Sequence, residues 1–313
     1  MVWTRQGLIY RPGGRHWWGK SHAALPVVDK VDDQIWRIYY AARDEAGRSH
    51  ISYIEVEAGH PGNILYEHPE PVLSSGKIGT FDDCGVMPSW IINVGESKYL
   101  YYIGCMVRNT IPYHNAIGLA ISRDGGRTFE RFSDGPLFGT TFLEPHFSAS
   151  SCVVIEEQVW KIWYLSCVRW EISDGRPEPF YHLKYAESPD GINWQREGLV
   201  AIDLKSEAEA GVARPSVLKE DGVYRMWYSY RSLTGYRTEK EASYRIGYAE
   251  SQDGKYWNRM DDLAGIDISE GGWDSEMIEY PYVLEHLGRK YLFYNGNGFG
   301  ISGFGYAVLD QKG

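Results

Sequence analysis

The sequence predicts an all-β chain, a five-bladed β-propeller whose blades are four-stranded antiparallel units. Three observations predict it: composition, a motif that returns five times, and Asp-Gly turns at matching places in the repeat. Of 313 residues, 12 are Trp, 24 Tyr and 10 Phe, alongside 35 Gly and 14 Pro. Aromatic side chains suit pleated strands, and Gly and Pro suit the tight turns that join them.

The repeat opens on a short apolar run: LPVVDK at Pro26, MPSWII at Pro88, SSCVVI at Ser150, RPSVLK at Pro215 and YPYVLE at Pro281, spaced 62 to 66 residues apart. Each opener is followed by an aromatic run, IWRIYYAA, KYLYYIGC, VWKIWYLSC, VYRMWYSY and KYLFYNGN, which reads as a second strand. A third run follows: HISYIEV, NAIGLAIS, YHLKYAES, YRIGYAES and GFGYAVLD. In three units it leads through SRDGGRTF, SPDGINW or SQDGKYW into a fourth strand, since Asp-Gly favours a tight hairpin. SRDGGRTF also fits the Asp-box of sialidases, a device that stabilises turns. Radial packing buries the faces of five such units against one another.

The last unit reaches Gly313 after three strands, whereas WTRQGLI (Trp3 to Ile9) resembles WQREGLV (Trp194 to Val200), the expected outer strand of the third unit. The N-terminal segment is therefore expected to complete the last blade and hide its edge. No internal boundary is visible, and residues 1–313 read as one domain.

With 32 Lys and Arg against 42 Asp and Glu, the formal charge is −10, which argues against nucleic acid as a partner. No apolar run approaches the roughly 18 residues that span a bilayer, and the first 20 residues lack the apolar stretch of a secretory signal. The expectation is a soluble, cytoplasmic protein with no membrane partner. Cys84, Cys105, Cys152 and Cys167 lie in strand-like stretches without metal-site spacing and read as reduced core cysteines.

In a meander, the segment before the first strand and the loop after the second share one face. MVRNTIPYH, VRWEISDGRPEPF, RSLTGYRTEKEAS and NGNGFGISG are long there, so function is expected on that face rather than at the Asp-Gly turns. Charged residues precede the openers at recurring offsets. Asp82, Glu144 and Glu209 lie six residues before, Asp83 and Glu276 five, and His22 and His146 four, with Glu279 two before Pro281.

The run EYPYVLEHLGRKYLFY, Glu279 to Tyr294, resembles the Glu-x-Pro strand pair that bears the general acid in five-bladed glycosidases: the arabinanase and β-xylosidase group, the invertase and levansucrase group, and the β-mannoside phosphorylases. The resemblance in blade pattern covers the whole chain. It implies a carbohydrate-active enzyme that cleaves a glycosidic bond by hydrolysis or phosphorolysis, without a cofactor, on a small-molecule or oligosaccharide substrate. Arabinanase-group members place a base Asp near the first inner strand, where this sequence offers Lys20 and His22.

Glycosidic cleavage needs one protonated carboxyl and one ionised one, and neighbouring carboxylates in a partly dry funnel acquire separated pKa values. Asp83, Glu144 and Glu279 are the candidate catalysts, with Glu279 as proton donor, and are expected to converge in one cavity. Candidate substrate-binding residues are His22, Arg43, Asp82, Arg108, His146, Arg169, Glu209, Arg214, Arg231, Glu276 and Tyr280. His22 and His146 lack a clear third ligand, which leaves a metal open. Two other readings stay open: a biosynthetic enzyme of another class using the funnel acids on a small polar metabolite, and a non-catalytic sugar-binding propeller. The oligomeric state is not readable from the sequence.

Overall fold

The computed structural model describes residues 1–310. The chain opens with β1 (Thr4–Tyr10), followed by a first antiparallel unit of β2 (Ser21–Lys30), β3 (Ile35–Arg43), β4 (Ser49–Glu57) and β5 (His60–Glu67). A second unit holds β6 (Val86–Val94), β7 (Ser97–Met106), β8 (His114–Ser122) and β9 (Glu130–Arg131). The third holds β10 (Ser148–Glu156), β11 (Val159–Ser173), β12 (Arg176–Ser188) and β13 (Val200–Ile202). The fourth holds β14 (Glu209–Glu220), β15 (Val223–Ser232), β16 (Arg245–Ser251) and β17 (Asn258–Arg259). A parallel bridge, Tyr181 to Gly211, joins the third and fourth units into one sheet. Finally β18 (Glu279–His286), β19 (Arg289–Asn295) and β20 (Phe304–Asp310) form a sheet whose fourth strand is β1. Among the described residues no helix is long and apolar enough to cross a membrane.

The first strands touch one another in the order β2, β6, β10, β14, β18 and back to β2. β1 pairs antiparallel with β20, Thr4 opposite Val308 and Tyr10 opposite Phe304. Trp3, just ahead of β1, is buried edge-on against Trp227, and its Nε1 donates to the Ala264 carbonyl. Leu8, in the same strand, is exposed.

Two local readings are corrected. The segment VRWEISDGRPEPF is not a loop, because β11 and β12 continue their ladder to Ser173 opposite Arg176, turning at Asp174-Gly175. In the turns of SRDGGRTF, SPDGINW and SQDGKYW only glycine takes positive φ, while the aspartate caps the turn through its side chain: Asp190 accepts from the amides of Ile192 and Asn193. Those turns also tie units together. Tyr39 donates to the Gly126 carbonyl (2.6 Å), Tyr101 to that of Gly191 (2.7 Å) and Trp163 to that of Gly254 (2.7 Å), each from one unit to the next.

Candidate active site

A cavity of about 530 Å³ opens on the face carrying the loops that follow the second strands. Arg48 from the first such loop, Tyr113 from the second, Arg237 from the fourth and Phe299 from the fifth line its wall. Its floor comes from the strand openers, including Leu25, Ser150, Ala213 and Tyr280. Leu25, Arg214 and Tyr280, each before a proline, hold φ near 55° (53°, 53° and 57°), a left-handed conformation that costs a non-glycine residue about 1–3 kcal/mol. Buried side chains fix these kinks. The Leu25 amide donates to Asn295, that of Arg214 to Ser150 and that of Tyr280 to Ser229.

No Asp or Glu is among the residues lining the cavity, whereas Arg43, Arg48 and Arg237 are. The expected convergence of three carboxylates is therefore corrected. Glu144 is buried, with one oxygen accepting from Tyr164 (2.8 Å) and Lys184 (3.1 Å) and the other from Arg196. Asp82 is likewise enclosed by Tyr102 (3.0 Å), Arg131 (2.8 Å) and Thr80 (2.9 Å). Glu209 is held by Arg259 at 2.8 and 2.9 Å. Asp83 is half-buried and accepts from the Gly79 amide, one residue away from Cys84, which does line the cavity. Glu276 is exposed.

Two of the recurring acids, Asp82 and Glu144, thus belong to a clamp inside their units, and Asp261 and Asp274 play the same part in two others. A buried tyrosine of the second strand donates to a carboxylate that also pairs with an arginine of the outer strand or its approach: Tyr102–Asp82–Arg131, Tyr164–Glu144–Arg196, Tyr228–Asp261–Arg259 and Tyr294–Asp274–Arg5. Glycine faces two of these tyrosines because there is no room for more. A Cβ at Gly118 would come within 2.5 Å of Tyr102, and one at Gly247 within 2.4 Å of Tyr228.

Glu279 is different. At its position the other units carry Ala24, Val86, Ser148 and Ala213. Its carboxyl is wholly buried; Oε1 accepts a 3.3 Å hydrogen bond from Asn295, and Oε2 has no partner among the described residues. Burial pushes it up to about 8, with Asn295, Tyr280 and Arg43 pulling the other way. It is therefore mostly protonated at neutral pH. Arg43, in the cavity wall, is lowered by its own burial and forms no ion pair among the described residues. His22, bonded to Ser21 at 2.9 Å, is lowered to about 4 by burial and by Arg43, so it is neutral.

The remaining expected binders are scattered. Arg214, fully buried, donates to the carbonyls of Pro26, Pro88 and Ser89, tying three units together, and does not line the cavity. Arg231 is buried on Tyr181 and Tyr236, donating to the Tyr181 hydroxyl at 2.8 Å. Arg169 stacks on Phe180 and pairs with Glu171 and Glu207. His146 is half-buried near His114, and Arg108 is exposed in a neighbouring groove. Among the described residues no three His, Cys, Asp or Glu side chains are grouped to hold a metal.

Cys84 and Cys105, expected in the core, are only half-buried and lie in the cavity wall, together with Arg48, Arg237 and Asn115, which the sequence does not single out; among the described residues the buried Asn115 Oδ1 has no partner. Their signal was position, since Arg48, Arg237 and Asn115 lie in or beside loops that follow second strands.

No family model matches the chain. The Mycobacterium tuberculosis (strain ATCC 25618 / H37Rv) "Uncharacterized protein Rv1502" is 38% identical over 311 residues, covering 99% of this chain and 100% of the relative. A 1,2-beta-oligomannan phosphorylase of Thermoanaerobacter sp. (strain X514) is 33% identical over 114 residues, 35% of each protein. The fold is shared with solved glycoside hydrolases. One is a structure from the GH130 family of mannoside phosphorylases, which contains glycoside hydrolases that target beta-1,2 mannosidic linkages in Candida mannan; it matches with a TM-score of 0.70 at 15% identity over 99% of this chain and 94% of that one. The chain belongs to the family of the Mycobacterium tuberculosis protein Rv1502, on the propeller fold of the glycoside hydrolases.

Proposed function

We propose that the protein is a carbohydrate-active enzyme that cleaves a glycosidic bond by phosphorolysis, on a five-bladed ring, with Glu279 as the source of the proton. The ring reading is supported by the cyclic contacts of the first strands and by the pairing of β1 with β20. One observation carries the chemistry: a wholly buried carboxyl, which burial pushes up to about 8, stands beside Arg43, an arginine without an ion pair among the described residues, at a cavity whose described wall has arginines and no carboxylate.

Hydrolysis needs a second carboxylate to activate water or attack the sugar. Phosphate brings its own nucleophilic oxygen and needs a cation to hold it, a role that suits Arg43, since Arg48 is paired with Asp44 at 2.9 Å. In this reading a phosphate oxygen bonds to the anomeric carbon as the bond to the leaving oxygen breaks. Tyr280, between Glu279 and the cavity, passes its hydroxyl proton to that oxygen and takes the Glu279 proton in its place. The products are a sugar 1-phosphate and a sugar with a restored hydroxyl, and the carboxylate is reprotonated from solvent. Consumption of inorganic phosphate fits a cytoplasmic enzyme. The partial likeness to an oligomannan phosphorylase makes β-linked mannosides the first substrates to try.

The test is to incubate the protein with β-1,2-linked mannobiose and a panel of other disaccharides, with and without phosphate. Phosphate-dependent release of a sugar 1-phosphate, lost in Glu279→Gln, is expected. Equal release of free sugars without phosphate would replace this reading with hydrolysis.

A further inference from the structure

Beside the central cavity lies a groove of about 370 Å³ whose charged residues are Arg108, Arg176, Arg237 and Glu178. Arg237 also lines the central cavity, so the two spaces share a wall. Glu178 is already occupied: it accepts from Tyr236 at 2.9 Å and from both terminal nitrogens of Arg237. Arg108 and Arg176 are exposed and form no ion pair among the described residues. Other arginines of the loops on this face are matched by acids, Arg48 by Asp44, Arg169 by Glu171 and Glu207, and Arg245 by Asp267. Two unmatched guanidinium groups in one groove, on a chain of charge −10, repel each other unless an anion lies between them.

We propose that this groove is a subsite for a phosphoryl group carried by the sugar on the leaving side of the bond, so that the substrate is a phosphorylated glycoside. This rests on the phosphorolytic reading only for which sugar is the leaving one. Two free guanidinium groups match the two charges and several oxygens of a phosphomonoester better than the single charge of a uronate. The phosphoryl site is separate from the Arg43 position assigned to the attacking phosphate, and Arg237 marks the passage between them.

The test is calorimetric binding to the full chain, with mannose 6-phosphate, mannose and glucuronate as probes, in wild type, Arg108→Ala/Arg176→Ala and Arg43→Ala. Mannose 6-phosphate is expected to bind at least about tenfold more tightly than the other two probes. The double alanine variant should lose that advantage while keeping mannose affinity and the wild-type melting temperature. A double lysine variant should keep part of it. Equal binding of mannose 6-phosphate and mannose, equal binding of glucuronate, or an advantage lost in Arg43→Ala but kept in the double variant would each overturn the assignment. No turnover is read, so a failed phosphorolysis assay leaves this test intact.

Discussion

Tyr164 donates a 2.8 Å hydrogen bond to Oε1 of Glu144, and the two lie 20 residues apart, as do Tyr102 and Asp82, and Tyr294 and Asp274. The acid is thereby committed to holding its unit together: the tyrosine comes from the second strand, the arginine partner from the outer strand or its approach, and all three are removed from the cavity. A carboxylate so enclosed has no oxygen left for substrate.

Removing one tyrosine hydroxyl therefore affects stability and leaves the chemistry alone. Tyr164→Phe is expected to cost about 1–3 kcal/mol, because it removes one hydrogen bond to a buried carboxylate. Glu144→Ala should cost more, about 3–5 kcal/mol, since it leaves Lys184 and Arg196 without their anion. Denaturant unfolding checks both values, and turnover in Tyr164→Phe should remain at the wild-type level below the melting range.

Arg214 makes a second stability prediction. Its guanidinium is the common donor to carbonyls of two other units, so Arg214→Met should destabilise by about 2–4 kcal/mol through buried carbonyls left unpaired. A melting temperature equal to wild type would contradict its role as a tie.

Deleting residues 1–10 removes β1, uncovers the edge of β20 and takes Trp3 away from Trp227. The truncated chain is expected to melt well below the full-length protein. Melting at the full-length temperature would show that the pairing contributes nothing to the ring.

The repeat was legible because strands of one kind return at a near-constant spacing, and the likeness of WTRQGLI to WQREGLV located the pairing of β1. That likeness has a physical source: Arg5 and Arg196 occupy the same place in the clamp, against Asp274 and Glu144. For the acids the same logic points away from chemistry: Asp82 and Glu144 recur at a fixed offset because each holds its own unit together, whereas a single reaction centre requires what the other units lack. Glu279, where its counterparts are Ala24, Val86, Ser148 and Ala213, is such an exception. The cavity wall was less legible because Arg48, Arg237 and Asn115 come from three different units and meet only through the arrangement of all five around the cavity, which no local pattern encodes.

The Glu279 carboxyl also sets a pH dependence. Its folded pKa, raised from the ordinary 4.5 to about 8, means that the native state holds a proton the unfolded chain has released between those values. Stability from this group is full below about pH 4.5 and is lost as pH rises toward 8, an effect on the order of a few kcal/mol. Glu279→Gln, neutral at every pH, should flatten that slope in melting curves taken from pH 5 to 8.

Infrared difference titration tests most directly whether Glu279 is the proton-holding group of the site. Wild-type minus Glu279→Gln spectra, recorded across pH, should show a protonated-carboxyl band that disappears with a midpoint near 8 and is absent from the variant. A midpoint in the ordinary carboxylate range, or no difference between the two proteins, would contradict the account.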